Sequence, residues 1–118
     1  MATETYRGSC QCGAVRFTAE LDLETAIECN CSRCARMGLK YAFTPTGSFR
    51  LEAGEDATAE FRFNKHVISH RFCRTCGVEA FALGQNPDGT EMAAVNVGCL
   101  DGVDIFALEL RRYDGRAA

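Results

Sequence analysis

Three short stretches of the chain concentrate cysteine. Cys10-Gln-Cys12-Gly13 is the first, Cys29-Asn-Cys31-Ser-Arg-Cys34 the second, and Cys73-Arg-Thr-Cys76-Gly77 the third, with Cys99 apart. Thiolates two or three residues apart on a tight loop can converge on one ion, with bonds of about 2.3 Å. Backbone N–H groups of the same loop can hydrogen-bond the sulfurs and orient them. Gly13 and Gly77 directly follow the last cysteine of their clusters, where such a knuckle needs the positive φ that glycine supplies. A closed tetrahedral zinc site takes four protein ligands, and an open one takes three plus an exchangeable group. The first and third clusters together offer four sulfurs, Cys10, Cys12, Cys73 and Cys76; the second offers three, Cys29, Cys31 and Cys34. The expectation is two zinc ions per chain, one saturated and structural, the other with a vacancy. The same thiols could instead hold one shared ion, or an iron–sulfur cluster on the middle triad, or form disulfides, although pairs two residues apart are poorly placed to bridge each other. Cys99 reads as a small buried hydrophobe, with lining of the middle site as its alternative role.

A vacancy matters chemically. Three thiolates on a divalent cation leave a position for water or for a substrate thiol. A free thiol is mostly protonated at neutral pH, whereas a metal-bound thiol is deprotonated and becomes a nucleophile toward an electrophilic carbon such as an aldehyde. A saturated four-sulfur site cannot do this without losing a ligand. Arg33, Arg36 and Lys40 flank the middle cluster, and Lys65, His66, His70, Arg71 and Arg74 lead into or belong to the third. If these share a face, an anionic thiol such as glutathione would find partners there; otherwise they are solvated surface charges. Arg33, Arg36, His70 and Arg71 are the substrate-binding candidates. His66 and His70 can move a proton near neutral pH or serve as a fourth ligand, and on a strand their spacing of four puts them on one face. Glu79 is a further acid–base candidate. Tyr41, Phe43, Phe61, Phe63, Phe72 and Phe81 either wall a pocket or pack a core.

The elements that must position these groups are mostly strands. Val15 and Phe17 alternate with Arg16 and Thr18, and Tyr41 and Phe43 share one side of Lys40–Thr44. Similar short runs occupy 49–51, 59–63, 67–72, 78–83, 91–97 and 105–110, broken by Gly, Pro, Asp and Asn in the manner of strands between turns. Only Ser32–Met37 reads as a helix, with Ser32 as N-cap and Gly38 as its end. Arg112–Ala118 reads as a frayed tail. Folding two or three small sheets over one another, tied at the bends by metal, would help hide their edges.

Length and composition agree with one domain over residues 1–118, of ordinary hydrophobic content (47%) and therefore able to bury a modest core that a metal cross-link would help hold. The net charge of −3 argues against general affinity for nucleic acid or anionic membrane. No apolar run is long enough for a membrane span, and residues 1–7 lack a signal pattern. The expected location is the cytoplasm, where clustered cysteines read as metal ligands.

The run Gly8-Ser-Cys10-Gln-Cys12-Gly13-Ala-Val-Arg-Phe17, then Cys29-Asn-Cys31-Ser32-Arg-Cys34, then Phe72-Cys73-Arg-Thr-Cys76-Gly77, resembles the glutathione-dependent formaldehyde-activating enzyme family, also called CENP-V/GFA. Val97-Gly98-Cys99-Leu100-Asp101 looks like a further family segment, and the likeness runs from about residue 6 to residue 110. The resemblance implies a mainly β fold, a β-tent of small antiparallel sheets built around zinc with one or two short helical turns. It implies that Cys10, Cys12, Cys73 and Cys76 hold the structural zinc. It implies that Cys29, Cys31 and Cys34 hold a second, catalytic zinc where glutathione sulfur enters. The implied activity is addition of glutathione to formaldehyde, giving S-hydroxymethylglutathione, a carbon–sulfur lyase reaction. The partners are then a small thiol and a small aldehyde, with no nucleic acid and no membrane; exposed strand edges leave room for a homodimer. The alternative is a non-catalytic, zinc-stabilised protein-interaction module, whose second zinc would be closed by a fourth protein ligand such as Cys99 or a histidine. A thiol-based metal store or redox sensor is a third reading.

Overall fold

The computed structural model describes residues 3–63 and 67–117; Lys65 and His66 lie outside the described residues. Among the described residues ten strands form two sheets. Strands β1 (Glu4–Ser9), β2 (Arg16–Leu21) and β5 (Phe49–Ala53) make the smaller, in the order β1-β2-β5. The larger contains β3 (Ile27–Cys29), β4 (Lys40–Pro45), β6 (Thr58–Phe61), β7 (Ser69–Cys73), β8 (Glu79–Gln85), β9 (Glu91–Asn96) and β10 (Arg111–Tyr113). Its order is β10-β3-β4-β9-β8-β7-β6. All pairings are antiparallel except β10 with β3. The mainly β expectation therefore holds, with one sheet considerably larger than the other.

The alternation in the sequence builds the core. Along β2 the residues Phe17, Ala19 and Leu21 are buried while Arg16 and Glu20 are exposed. Phe49 of β5 stacks on Phe17 at 5.5 Å between ring centroids and meets Phe81 of β8 at 4.8 Å. Three aromatic rings thus join the two sheets, and Val15, Val95, Val97 and Leu100 fill around them.

Helix α1 (Ser32–Met37) forms where expected and ends on Gly38 at φ 66°, the left-handed conformation of a helix C-terminus. Its N-cap is Cys31 rather than Ser32, because the Cys31 sulfur accepts from the Cys34 N–H. Two other expectations fail. Within 105–110, Ile105–Ala107 forms a 3-10 turn held by Asp104, whose Oδ1 accepts from Phe106 N at 3.0 Å. Phe106 is 93% exposed, so the apolar alternation there does not mark a buried strand. The supposed frayed tail is in part β10, paired in parallel with β3 (Arg111 with Ile27, Tyr113 with Cys29).

A row across the larger sheet shapes the space beside the middle cluster. Phe43, Ala94, Ala82, His70 and Phe61 face one another in register on β4, β9, β8, β7 and β6. Side chains in register share a face. Two alanines at the centre of that row leave a hollow between larger neighbours.

Candidate metal centres

The first and third clusters meet. Cys10 and Cys12 lie on the loop after β1, Cys73 ends β7, and Cys76 sits in the turn before β8. The four Sγ atoms all lie within 4.8 Å of one another. Cys10 and Cys12 are 3.7 Å apart and Cys12 and Cys73 3.6 Å. Tetrahedral bonds of about 2.3 Å require sulfurs roughly 3.8 Å apart, so the donor set fits zinc in type and spacing.

The two knuckles are built alike. Cys10 N donates to Val15 O and Cys73 N to Val78 O, each at 3.0 Å, while Gly13 N and Gly77 N turn back to Cys10 O and Cys73 O. Both glycines have positive φ, 82° and 80°. Val15 N donates to Cys10 Sγ at 3.3 Å, and Thr75 N and Cys76 N to Cys73 Sγ at 3.4 and 3.5 Å. Such N–H donors favour thiolate: the Val78 N–H heads the influences that bring Cys76 down to about 6, and the Cys76 N–H heads those that lower Cys73. Crowded sulfurs cannot all ionise without a cation among them.

The middle cluster forms a second group. Cys29 ends β3, Cys31 caps α1, and Cys34 is buried inside it; their sulfurs also lie within 4.8 Å of one another. Cys31 N donates to Cys29 Sγ and Cys34 N to Cys31 Sγ, both at 3.4 Å. Burial pushes the Cys34 thiol up; burial is also the largest single influence on Cys31, but the hydrogen bonds from the Cys34 N–H, the neighbouring thiols and the Arg33 N–H together outweigh it, and that thiol falls below its ordinary value. Among the described residues no fourth Cys, His, Asp or Glu atom joins this group. Cys99 joins neither; it packs against the core beside the first site, and burial, then the charges of Cys10 and Cys76, push its thiol to about 12.

The segment after β10 covers one side of the triad. Asn30, between two of its cysteines, donates through Nδ2 to Asp114 Oδ1 at 3.0 Å and accepts at Oδ1 from Arg116 N at 3.1 Å. Asn30 N also donates to Tyr113 O at 3.4 Å. Gly115 passes so close that an added Cβ would lie 2.5 Å from Cys29 Sγ.

Two cavities adjoin the triad, each touching Cys29, Cys34 and Tyr113. One, about 550 Å³, is mixed in character, with the charged Lys40, Arg112, Glu28 and Asp114 on its walls beside Leu39 and Tyr113. The other, about 540 Å³, is largely apolar, lined by Ile27, Tyr41, Phe43, Ile68, Ala82 and Ala94, with His70 as its ionisable group besides cysteine and tyrosine.

The sequence-level candidates divide. Arg33 points inward: its Nε and Nη2 donate to Glu79 Oε1, both at 2.8 Å, and its guanidinium lies over Phe61 at 4.7 Å. Arg36 is exposed and donates to Ser32 O of its own helix. Arg71 turns to the other face of β7, where its Nε donates to Ser69 Oγ at 2.6 Å and its charge faces Glu60 at 3.6 Å; it lines neither cavity. His70 is buried in the apolar cavity wall.

Glu79 is the functional candidate whose importance the sequence concealed. Its side chain is fully buried, and it receives Arg33, Tyr41 Oη and His70 Nδ1. Burial raises its pKa, but the hydrogen bonds from His70 and Tyr41, helped by charge, outweigh this and hold it below the usual carboxylate range. Tyr41 is pushed the other way by burial and then by the Glu79 charge, so it remains a phenol donor. A register shift lies behind this network: Arg71 pairs with Phe81 but Phe72 with Glu79, leaving Ala80 as the extra residue. Ala80 and Phe81 both enter the core, and the bulge re-aims Glu79 to the opposite face.

Residues 5–113 match the family described as glutathione-dependent formaldehyde-activating enzyme. A crystal structure of a Rhodobacter sphaeroides protein is similar with a TM-score of 0.80 and 32% sequence identity, over 91% of this chain and 99% of that one. With 109 matched residues and two cysteine groups able to hold metal, the chain belongs to the glutathione-dependent formaldehyde-activating enzyme family.

Proposed function

We propose that the chain is a zinc-dependent enzyme of the carbon–sulfur lyase type, resembling S-(hydroxymethyl)glutathione synthase. In this reading each chain carries two zinc ions, a structural one on Cys10, Cys12, Cys73 and Cys76 and a catalytic one on Cys29, Cys31 and Cys34. The observation that carries it is the inequality of the two sulfur groups, four against three with no fourth donor among the described residues. A protein-interaction module closed by Cys99 or by His70 finds no support in that arrangement.

Zinc on the triad would supply an open position for a substrate sulfur and hold that sulfur as thiolate. The chain's own residues do the remaining work. The Cys31 and Cys34 N–H groups fix two of the three ligand sulfurs. Asn30 clamps the segment that carries Gly115 over Cys29 and so shields that side from water. On the cavity shared with Glu28 and Asp114, Lys40 offers a positive charge to a carboxylate of a glutathione-like thiol, while Arg112 beside it faces Glu28 at 3.7 Å. This moves the expected anion partners from Arg33 and Arg71, which are already paired with Glu79 and Glu60.

The test is exchange NMR of formaldehyde and glutathione with and without the protein. The proposal expects faster interconversion with S-hydroxymethylglutathione, lost in Cys31→Ser. An unchanged exchange rate with metal-replete protein would remove the reading.

A further inference from the structure

His70 Nε2 is buried and has no hydrogen-bond partner among the described residues. A buried polar atom left unpaired loses its hydration without replacement, so this atom invites a ligand. The other ring nitrogen, Nδ1, lies 2.9 Å from Glu79 Oε2. A hydrogen on Nδ1 donated to that carboxylate leaves Nε2 with its lone pair free, and His70 lines the apolar cavity shared with the three triad cysteines.

We propose that this cavity is the aldehyde subsite and that His70 Nε2 carries the proton of the reaction there. The inference rests on the thiol-addition reading above. The thiol gives its S–H proton to Nε2, and the imidazolium so formed is held by the Glu79 carboxylate. As the S–C bond forms, the C=O π bond breaks toward oxygen, and Nε2 returns the same proton to that oxygen. Thiol and aldehyde give the hydroxyalkyl thioether with no other reactant, and the reverse path releases them.

The surroundings fit the role. Ala82 and Ala94 leave room over the sheet beside His70, and the Phe63 ring lies 5.3 Å from the imidazole, screening it from water. Among the described residues the titratable and charged groups facing His70 are Glu79 from β8, Tyr41 from β4, the triad cysteines and Tyr113 around the shared cavity and, through Glu79, Arg33 from α1. On β7 itself Ser69 and Arg71 face away and pair with Glu60. Arg33 lies between two triad cysteines, so its bond to Glu79 ties the position of His70 to that of the sulfurs.

Three measurements test the proposal on the metal-replete full chain. The first is ¹⁵N NMR of the histidine rings, with His66→Gln assigning His70. The expected resting state has a non-protonated Nε2, shifting toward imidazolium when glutathione is added without aldehyde. A ring already protonated at Nε2, or one indifferent to the thiol, overturns the proposal. The second is His70→Gln, whose amide can keep the bond to Glu79, and which should lower kcat about 100-fold or more while glutathione affinity stays close to wild type. The third is Ala82→Val, which should raise the KM for aldehyde and leave that for thiol unchanged. Wild-type kcat in His70→Gln overturns the proton role, and an unchanged aldehyde KM in Ala82→Val overturns the subsite. If the unmodified protein accelerates nothing, the thiol-addition reading fails, and the ring spectrum alone then decides whether Nε2 receives the thiol proton.

Discussion

Cys12 Sγ lies 3.6 Å from Cys73 Sγ, although 61 residues separate them in the chain. A metal ion among these sulfurs would clip the loop after β1 to the turn between β7 and β8. A cross-link closing a loop of that length stabilises by about 4 kcal/mol on chain-entropy grounds, and a structural zinc contributes directly to folding. Cys73→Ser should therefore lower the unfolding free energy by roughly that amount, measured by urea denaturation. Cys31→Ser, on a site whose ligands close a loop of only a few residues, should cost about half as much on the same grounds, about 2 kcal/mol, and remove one metal ion per chain. Equal destabilisation by both would erase the division of roles.

The Glu79 carboxylate is the second structural hub, because α1, β4, β7 and β8 all meet on it. Removing one partner from a buried ionic network costs about 3–5 kcal/mol. Glu79→Ala should show a loss of that size and should loosen α1, read as faster amide exchange at Ala35 and Gly38. Loss of less than about 1 kcal/mol would mean that the network adds little to folding.

The same carboxylate gives a pH signature. Its folded pKa lies below the ordinary value near 4.3. The stabilisation is therefore complete above that ordinary value and fades as the pH falls through the folded one. The stability difference between wild type and Glu79→Gln should be full at pH 7 and shrink below about pH 4. Subtracting the variant removes the acid loss of metal that both proteins share. A difference that grows on acidification would reverse the assignment.

Gly115 is required for space. A Cβ there would stand 2.5 Å from Cys29 Sγ and 3.1 Å from Cys31 Cβ. Gly115→Ala should displace the Cys29 sulfur and weaken the second metal about 10-fold, as disturbances next to metal ligands commonly do, with the first site unaffected. Chelator competition monitored by a colorimetric zinc indicator would show this as one labile and one retained ion. Two ions of unchanged affinity would show that the segment after β10 does not bear on the triad.

The legible part of this protein is the part written in side-chain type and spacing. Cysteine intervals indicated both sulfur groups, the glycines after them had the expected φ, and alternation around Val15, Phe17 and Tyr41 located strands. What stayed hidden depends on backbone pairing and register. Strand β10 carries exposed Arg111, Arg112 and Tyr113, and it is held by bonds such as Arg111 N to Ala26 O, which leave no periodic trace. Asn30 gave no sign that it would clamp a segment more than 80 residues away. Glu79 joined His70 through a one-residue bulge that no local propensity encodes. Arg71 was grouped with His70 by proximity in sequence, yet adjacent strand residues face opposite ways.

Zinc K-edge X-ray absorption on the metal-replete protein, before and after glutathione, reads the ligand count directly. Two ions with four and three protein sulfurs give a mean of about 3.5 sulfurs per zinc, rising to about 4 when a substrate thiol enters the open position. A mean of four from the outset, or a count that glutathione leaves unchanged, would contradict the open second site on which the proposed chemistry depends.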